Sequence, residues 1–198
     1  MIKCFEPDLG NEDYQQVLET LRTKILGFGP KVSEFEEKYK KFSNKEYNIG
    51  FNSASSAALL LYRYLYEQYG ACRVYTPSLG FVSPVTAATM AGHEVVYTDV
   101  DNNLLLSVDD LRNRFLEDKR KSIIMPILYG GVSDIRKLNR FCEEKKSILV
   151  LDSAHCISPE IEYDHAFYSF HPVKPICMSN GGLLATSDKS TAEYLSAG

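Results

Sequence analysis

The stretch Ser147-Ile148-Leu149-Val150-Leu151-Asp152-Ser153-Ala154-His155 decides how the chain is read. An apolar run of this length, ending abruptly in an acid, reads as a buried strand over Ser147 to Leu151 with Asp152 at its end. Upstream, the same alternation repeats. Tyr47 to Phe51, Arg73 to Thr76, Glu94 to Thr98 and Ser122 to Leu128 read as strands. Helices are expected between them at about Ser55 to Tyr69, Val82 to Ala91, Val108 to Glu117 and Ile135 to Glu144. Downstream, short strands near Ala166 to Tyr168 and Leu183 to Thr186 follow with no helix between them. Strands alternating with helices predict an α/β domain in three layers, α/β/α, around a mainly parallel sheet. In such sheets ligands bind beyond the carboxyl ends of the strands, so the residues just after each strand carry the information.

Two amphipathic helices precede the first strand. Asn11 to Leu26 places Tyr14, Val17, Leu18 and Leu21 at helical spacing, and Gly27-Phe28-Gly29-Pro30 breaks it. A second helix, near Lys31 to Phe42, puts Val32, Phe35 and Tyr39 on one face. The formal net charge of -4 disfavours a nucleic-acid binder, and Lys119-Arg120-Lys121 reads as a solvated helix end. No stretch is apolar enough, for long enough, to span a membrane. Met1 to Gly10 lacks the basic-then-apolar layout of a signal peptide. The cysteines Cys4, Cys72, Cys142, Cys156 and Cys177 are odd in number and irregular in spacing, which predicts reduced thiols and a cytoplasmic protein.

Three strand ends carry candidate chemistry. Asn52-Ser53-Ala54-Ser55-Ser56 opens a helix with small hydroxylic residues. This suits an anion, because first-turn N–H groups and the helix dipole point at it, and it equally suits an ordinary N-cap. Asp152 is poised to meet a ligand or to cap the following turn. Ser169-Phe170-His171-Pro172-Val173-Lys174, followed by Gly181-Gly182, sets a lysine in a loop where its amine could attack a carbonyl or simply lie in solvent.

Taken together and in this order, these features resemble the DegT/DnrJ/StrS-type nucleotide-sugar aminotransferases, of pyridoxal 5'-phosphate (PLP) fold type I. The segments Gly27 to Tyr39 ("GFGPKVSEFEEKY"), Pro77 to Asp101 ("PSLGFVSPVTAATMAGHEVVYTDVD") and Ile127 to Gly131 ("ILYGG") resemble the family as well. The likeness runs from about Phe5 onward and is most specific between Leu151 and Gly182. It implies Lys174 as the lysine that holds the cofactor covalently and Asp152 as the acid that pairs with its ring nitrogen. It implies His155 near the ring hydroxyl, Ser169, Ser55 and Ser56 at the phosphate, and Phe81 stacked on the ring. Asp152 and Lys174 are then the catalytic pair, and no metal is expected.

The resemblance further implies an aminotransferase that moves an amino group from an amino acid, glutamate by expectation, to a keto-sugar attached to a nucleotide. Its setting would be cell-surface polysaccharide or amino-sugar biosynthesis, and its assembly a homodimer. Family members are longer, so residues 1–198 read as the PLP-binding large domain, incomplete and without the small C-terminal domain. Departures from the family pattern are Ser179-Asn180 where Gly-Glu is usual, Pro175 directly after the lysine, and Gly80 where Thr or Ser is common.

Other readings compete on paper. His155, Cys156 and Asp152 lie close in sequence, but their spacing matches no common zinc pattern. A hydrolase built from Ser169, His155 and Asp152 would lack the Gly-x-Ser-x-Gly elbow. No Gly-rich dinucleotide loop follows the first strand. A PLP sugar dehydratase-like protein, or a non-catalytic relic or fragment that keeps the fold, remains the alternative; Lys174 favours transamination over dehydration.

Overall fold

A computed structural model describes residues 6–129 and 135–197; Cys4 and the Gly130-Gly131 pair lie outside the described residues. The elements follow the expected alternation. Helices α1 (Asn11–Thr23) and α2 (Pro30–Ser43) precede β1 (Tyr47–Phe51), α3 (Ala54–Tyr69) and β2 (Arg73–Pro77). Next come α4 (Val82–Met90), β3 (Glu94–Thr98), α5 (Val108–Arg114), β4 (Ser122–Ile124) and α6 (Arg136–Lys145). The chain continues through β5 (Ile148–Asp152), β6 (His165–Ser169), β7 (Gly182–Thr186) and α7 (Lys189–Ala197).

The seven strands form one sheet in the order β1-β7-β6-β5-β4-β2-β3. β2 through β6 pair in parallel. Only β7 opposes its neighbours, running antiparallel to both β6 and β1. That reversal follows from the β6–β7 connection, which contains no crossover helix and so cannot return the chain to a parallel start.

Side chains alternate strictly across the sheet and fill two cores. Tyr75, Ile124, Leu149, Leu151, Ala166, Tyr168, Leu183 and Ala185 face α2, α5 and α6, meeting Tyr39, Leu111, Leu138 and Phe141. Val74, Ile123, Val150, Phe167 and Leu184 face α3, α4 and α7, meeting Leu61, Leu65, Ala88 and Leu195. The result is the three-layer α/β/α domain expected from the sequence. Among the described residues, no helix is long and apolar enough to cross a membrane.

Three elements stop short of their expected ends. α1 closes at Thr23 because Lys24 turns left-handed (φ 61°), and Tyr14, Val17, Leu18 and Leu21 stay exposed. α5 closes at Arg114 because Phe115 is extended and its ring stacks on Tyr75, with centroids 5.3 Å apart. β4 closes at Ile124 because Pro126 has no N–H to give. The irregular segment still pairs with β5, through Leu128 N–H to the Asp152 carbonyl at 2.9 Å and Asp152 N–H to the Pro126 carbonyl at 3.1 Å.

Where β7 begins it touches the start of α3 backbone to backbone. A Cβ on Gly182 would lie 2.2 Å from the Ser53 carbonyl carbon and 2.3 Å from the Ala54 nitrogen. Only glycine admits this approach.

Candidate active site at the carboxyl ends of the strands

Asp152 ends β5 and is 2% exposed. Its Oδ1 accepts the Ala154 N–H at 3.0 Å. Burial pushes its carboxyl up to about 6, against the opposing pull of that bond and of the Lys174 charge. The turn after β5 carries His155, whose Nε2 lies 2.8 Å from Lys174 Nζ. Burial, then the Lys174 charge, holds His155 below the ordinary imidazole value. An ammonium can only donate, so His155 accepts on Nε2 and carries its proton on Nδ1.

Lys174 sits in the loop from β6 to β7. Its backbone N–H donates to the His171 carbonyl at 2.9 Å, which folds the loop into a turn under the side chain. Burial lowers the pKa of the amine, and the Asp152 charge partly restores it. Pro175 does not disturb this turn.

Ser169, at the end of β6, lines the same cavity. Ser53 and Ser55 line it from the start of α3. Ser56, which the sequence placed at the phosphate, turns instead to Ser53. Its N–H donates to Ser53 Oγ at 3.2 Å and its hydroxyl pairs with the same oxygen at 3.0 Å. It is an N-cap partner and does not line the cavity. Phe81 lies at the cavity rim, 69% exposed, as the N-cap of α4.

Asp152, His155, Ser169, Lys174, Ser55 and Phe81 therefore converge on one cavity of about 400 Å³. That volume suits a small-molecule ligand. Sequence reasoning missed three of its walls. Ser83, in the first turn of α4, meets the Ser55 hydroxyl with its own. The signal was available: Ser83 lies two residues after Phe81, as Ser55 lies two after the cap Ser53. Tyr129 packs beside His155, ring centroids 5.8 Å apart, and donates its hydroxyl to the Leu79 carbonyl at 3.1 Å. Ile127 takes the space that a side chain at Gly80 would need, since its Cδ1 lies 2.1 Å from where that Cβ would stand.

The donor set fits PLP. A buried carboxylate at the cavity, lacking a direct hydrogen bond from a cation among the described residues, suits a protonated ring nitrogen. A shielded amine suits a carbonyl. Hydroxyls clustered at the start of a helix suit a phosphate.

Several known proteins are similar to this chain. The UDP-4-amino-4,6-dideoxy-N-acetyl-beta-L-altrosamine transaminase of Helicobacter pylori is 29% identical over 200 residues, covering 96% of this chain and 52% of that protein. The solved structure of Helicobacter pylori PseC, an aminotransferase involved in the biosynthesis of pseudoaminic acid, superposes with a TM-score of 0.87 at 28% identity, covering 98% of this chain and 54% of that one. The fold is shared with the Streptococcus pneumoniae protein Spr1654 in its PLP form, at a TM-score of 0.86 and 24% identity over 98% of this chain and 56% of that one. The chain spans about half the length of the curated relatives it matches. Residues 7–197 match the DegT/DnrJ/EryC1/StrS aminotransferase family, and the chain belongs to that family.

Proposed function

We propose that the protein to which this chain belongs is a PLP-dependent aminotransferase, moving an amino group from an amino acid, glutamate by preference, to a nucleotide-linked keto-sugar. The observation that carries this reading is the pairing of Lys174 and Asp152 across one cavity: a lysine whose amine burial makes easier to deprotonate, and an acid at a strand end. Lys174 would hold the cofactor. Asp152 would keep its ring nitrogen protonated, His155 would face its ring hydroxyl, and Phe81 would cover its face. Ser169 and Ser55 would hold its phosphate. PLP supplies an electron sink for the charge left when a proton leaves a substrate carbon.

The chain's own work is positional. Lys174 Nζ, neutral for part of the time, takes a proton from a substrate carbon and returns it over a short distance. His155 fixes where that amine rests. The apolar walls Ile127, Phe167 and Val173 limit water at the reacting atoms. The family description and the names of the Helicobacter relatives support the sugar substrate, with cell-surface polysaccharide or amino-sugar synthesis as its setting. The exposed apolar residues Tyr14, Val17, Leu18 and Leu21 of α1 support burial of that face in a homodimer.

The test is spectroscopic. Adding PLP should give a visible band that borohydride fixes as a label on Lys174. With glutamate the band should shift, and a nucleotide keto-sugar should reverse the shift. A label on another lysine, or a band that survives Lys174→Ala, overturns the cofactor assignment. A correct label with no response to any common amino donor leaves a PLP-binding, non-transaminating protein.

A further inference from the structure

The loop from β6 to β7 does not hold itself in place. It is closed at its base by Phe170, whose N–H donates to the Gly181 carbonyl at 3.0 Å and whose carbonyl accepts the Met178 N–H at 2.9 Å. The Phe170 ring is buried and turned away from the cavity. It meets the Phe35 ring edge-on at 5.1 Å and the Tyr39 ring at 5.6 Å, both on α2. Tyr39 also donates its hydroxyl to the Ile157 carbonyl at 3.2 Å, in the segment that follows His155. One face of α2 therefore grips both segments whose side chains meet at the Lys174–His155 contact.

We propose that Phe170 is a positioning residue: seated against Phe35 and Tyr39 of α2, it holds the lysine loop so that Lys174 stays shielded and in contact with His155. Lys174 follows Phe170 by one tight turn, so a displaced ring moves the turn that carries the amine. Ile176, half-buried against the same core, holds the loop on the other side of Lys174. The titratable groups facing the amine are Asp152 from β5, His155 from the following turn, Tyr129 from the segment after β4 and His171 from the loop itself. None lies on α2, so α2 acts on Lys174 through the packing of Phe170 and the Tyr39 bond to the segment after His155, with no titratable group of its own in the cavity. The inference takes its meaning from Lys174 as the cofactor lysine, but its test reads the amine directly and needs no cofactor.

The experiment is competitive acetylation of the chain across pH, with each lysine followed by peptide mass spectrometry. The pH midpoint of labelling reports the state of the amine independently of access. In the unaltered chain the Lys174 midpoint should lie below that of a lysine in a short unstructured peptide labelled in the same tube. Phe170→Ala should raise the Lys174 midpoint toward that of the peptide lysine, and Phe170→Leu should restore part of the difference. Leu138→Ala, a truncation elsewhere in the same core, should lower the melting temperature without moving the midpoint. Should Phe170→Ala fail to fold, Phe35→Ala replaces it and should shift the midpoint the same way by a smaller amount. An unmoved midpoint in these variants, or an equal shift in Leu138→Ala, overturns the proposal. A label from PLP and borohydride that misses Lys174 overturns the functional reading instead and leaves this result standing.

Discussion

Lys174 Nζ and His155 Nε2 lie 2.8 Å apart, brought together from the loop after β6 and the turn after β5. Because an ammonium only donates, this contact requires a neutral imidazole. His155 should therefore titrate below the ordinary histidine range, first because it is buried and second because Lys174 is charged. Lys174→Met removes the second cause and keeps the first. The His155 ring signals, followed by two-dimensional NMR against pH, should move to a higher midpoint in that variant while staying below a free histidine. A midpoint that does not move, or that falls, contradicts the assigned contact.

Asp152 predicts a pH-dependent stability of definite sign. Its folded value of about 6 lies above the ordinary 3.8, so between those values the folded chain holds more protons than the unfolded chain. The cost of burying its charge thus develops as pH rises from about 4 to 6 and is complete above 6. Asp152→Asn keeps the shape and the acceptor for Ala154 while removing the charge. Urea unfolding without added cofactor should show this variant more stable than the parent at pH 7.5, by on the order of 2–3 kcal/mol. The difference should disappear near pH 4. The same variant should bind PLP more weakly, so stability and cofactor affinity should move in opposite directions.

Gly182→Ala should damage the fold and the cavity together. The added methyl meets backbone atoms of Ser53 and Ala54, which cannot rotate aside as a side chain would. The cost should be roughly 1–3 kcal/mol or more, read as a lower melting temperature. Because α3 must move to admit the methyl, Ser53 and Ser55 leave their positions at the cavity, and PLP affinity should fall beyond what the stability loss explains. An alanine variant with unchanged melting and affinity would show that β7 and α3 stand farther apart than described.

Much of this was legible in the sequence. The acid at the end of a buried run and the lysine in a loop between two short strands were visible locally, but each equally fitted a turn cap or a surface side chain. It was their order along the chain that resembled the family, and the structure brings both to one cavity. The missing helix between β6 and β7 was visible too. What it meant was not, since the insertion of β7 between β6 and β1 depends on pairing Gly182–Thr186 with the distant Tyr47–Phe51. The serines divide the same way. A cluster of hydroxyls at a helix start says that one of them caps, but not which. The structure gives the cap to Ser53 and Ser56, leaving Ser55 for Ser83 on another helix. The early end of β4 came from Pro126, a local signal overridden in reading by the apolar run around it.

The place of β7 between β6 and β1 also orders events during synthesis. β1 leaves the ribosome early, yet its strand neighbour among the described residues is β7, made near the far end of this stretch. β2 through β6 can pair with one another as they emerge, with α4, α5 and α6 between the first four of them to cover the sheet. β1 and the start of α3 must wait, joined to the rest by contacts of very high sequence separation, which are the slow ones in folding. Throughout that interval Tyr47–Phe51 offers an open edge to any other strand. A nascent chain halted before Gly182 would carry Asp152 and Lys174 without the close backbone approach of β7 to Ser53 and Ala54 at the start of α3.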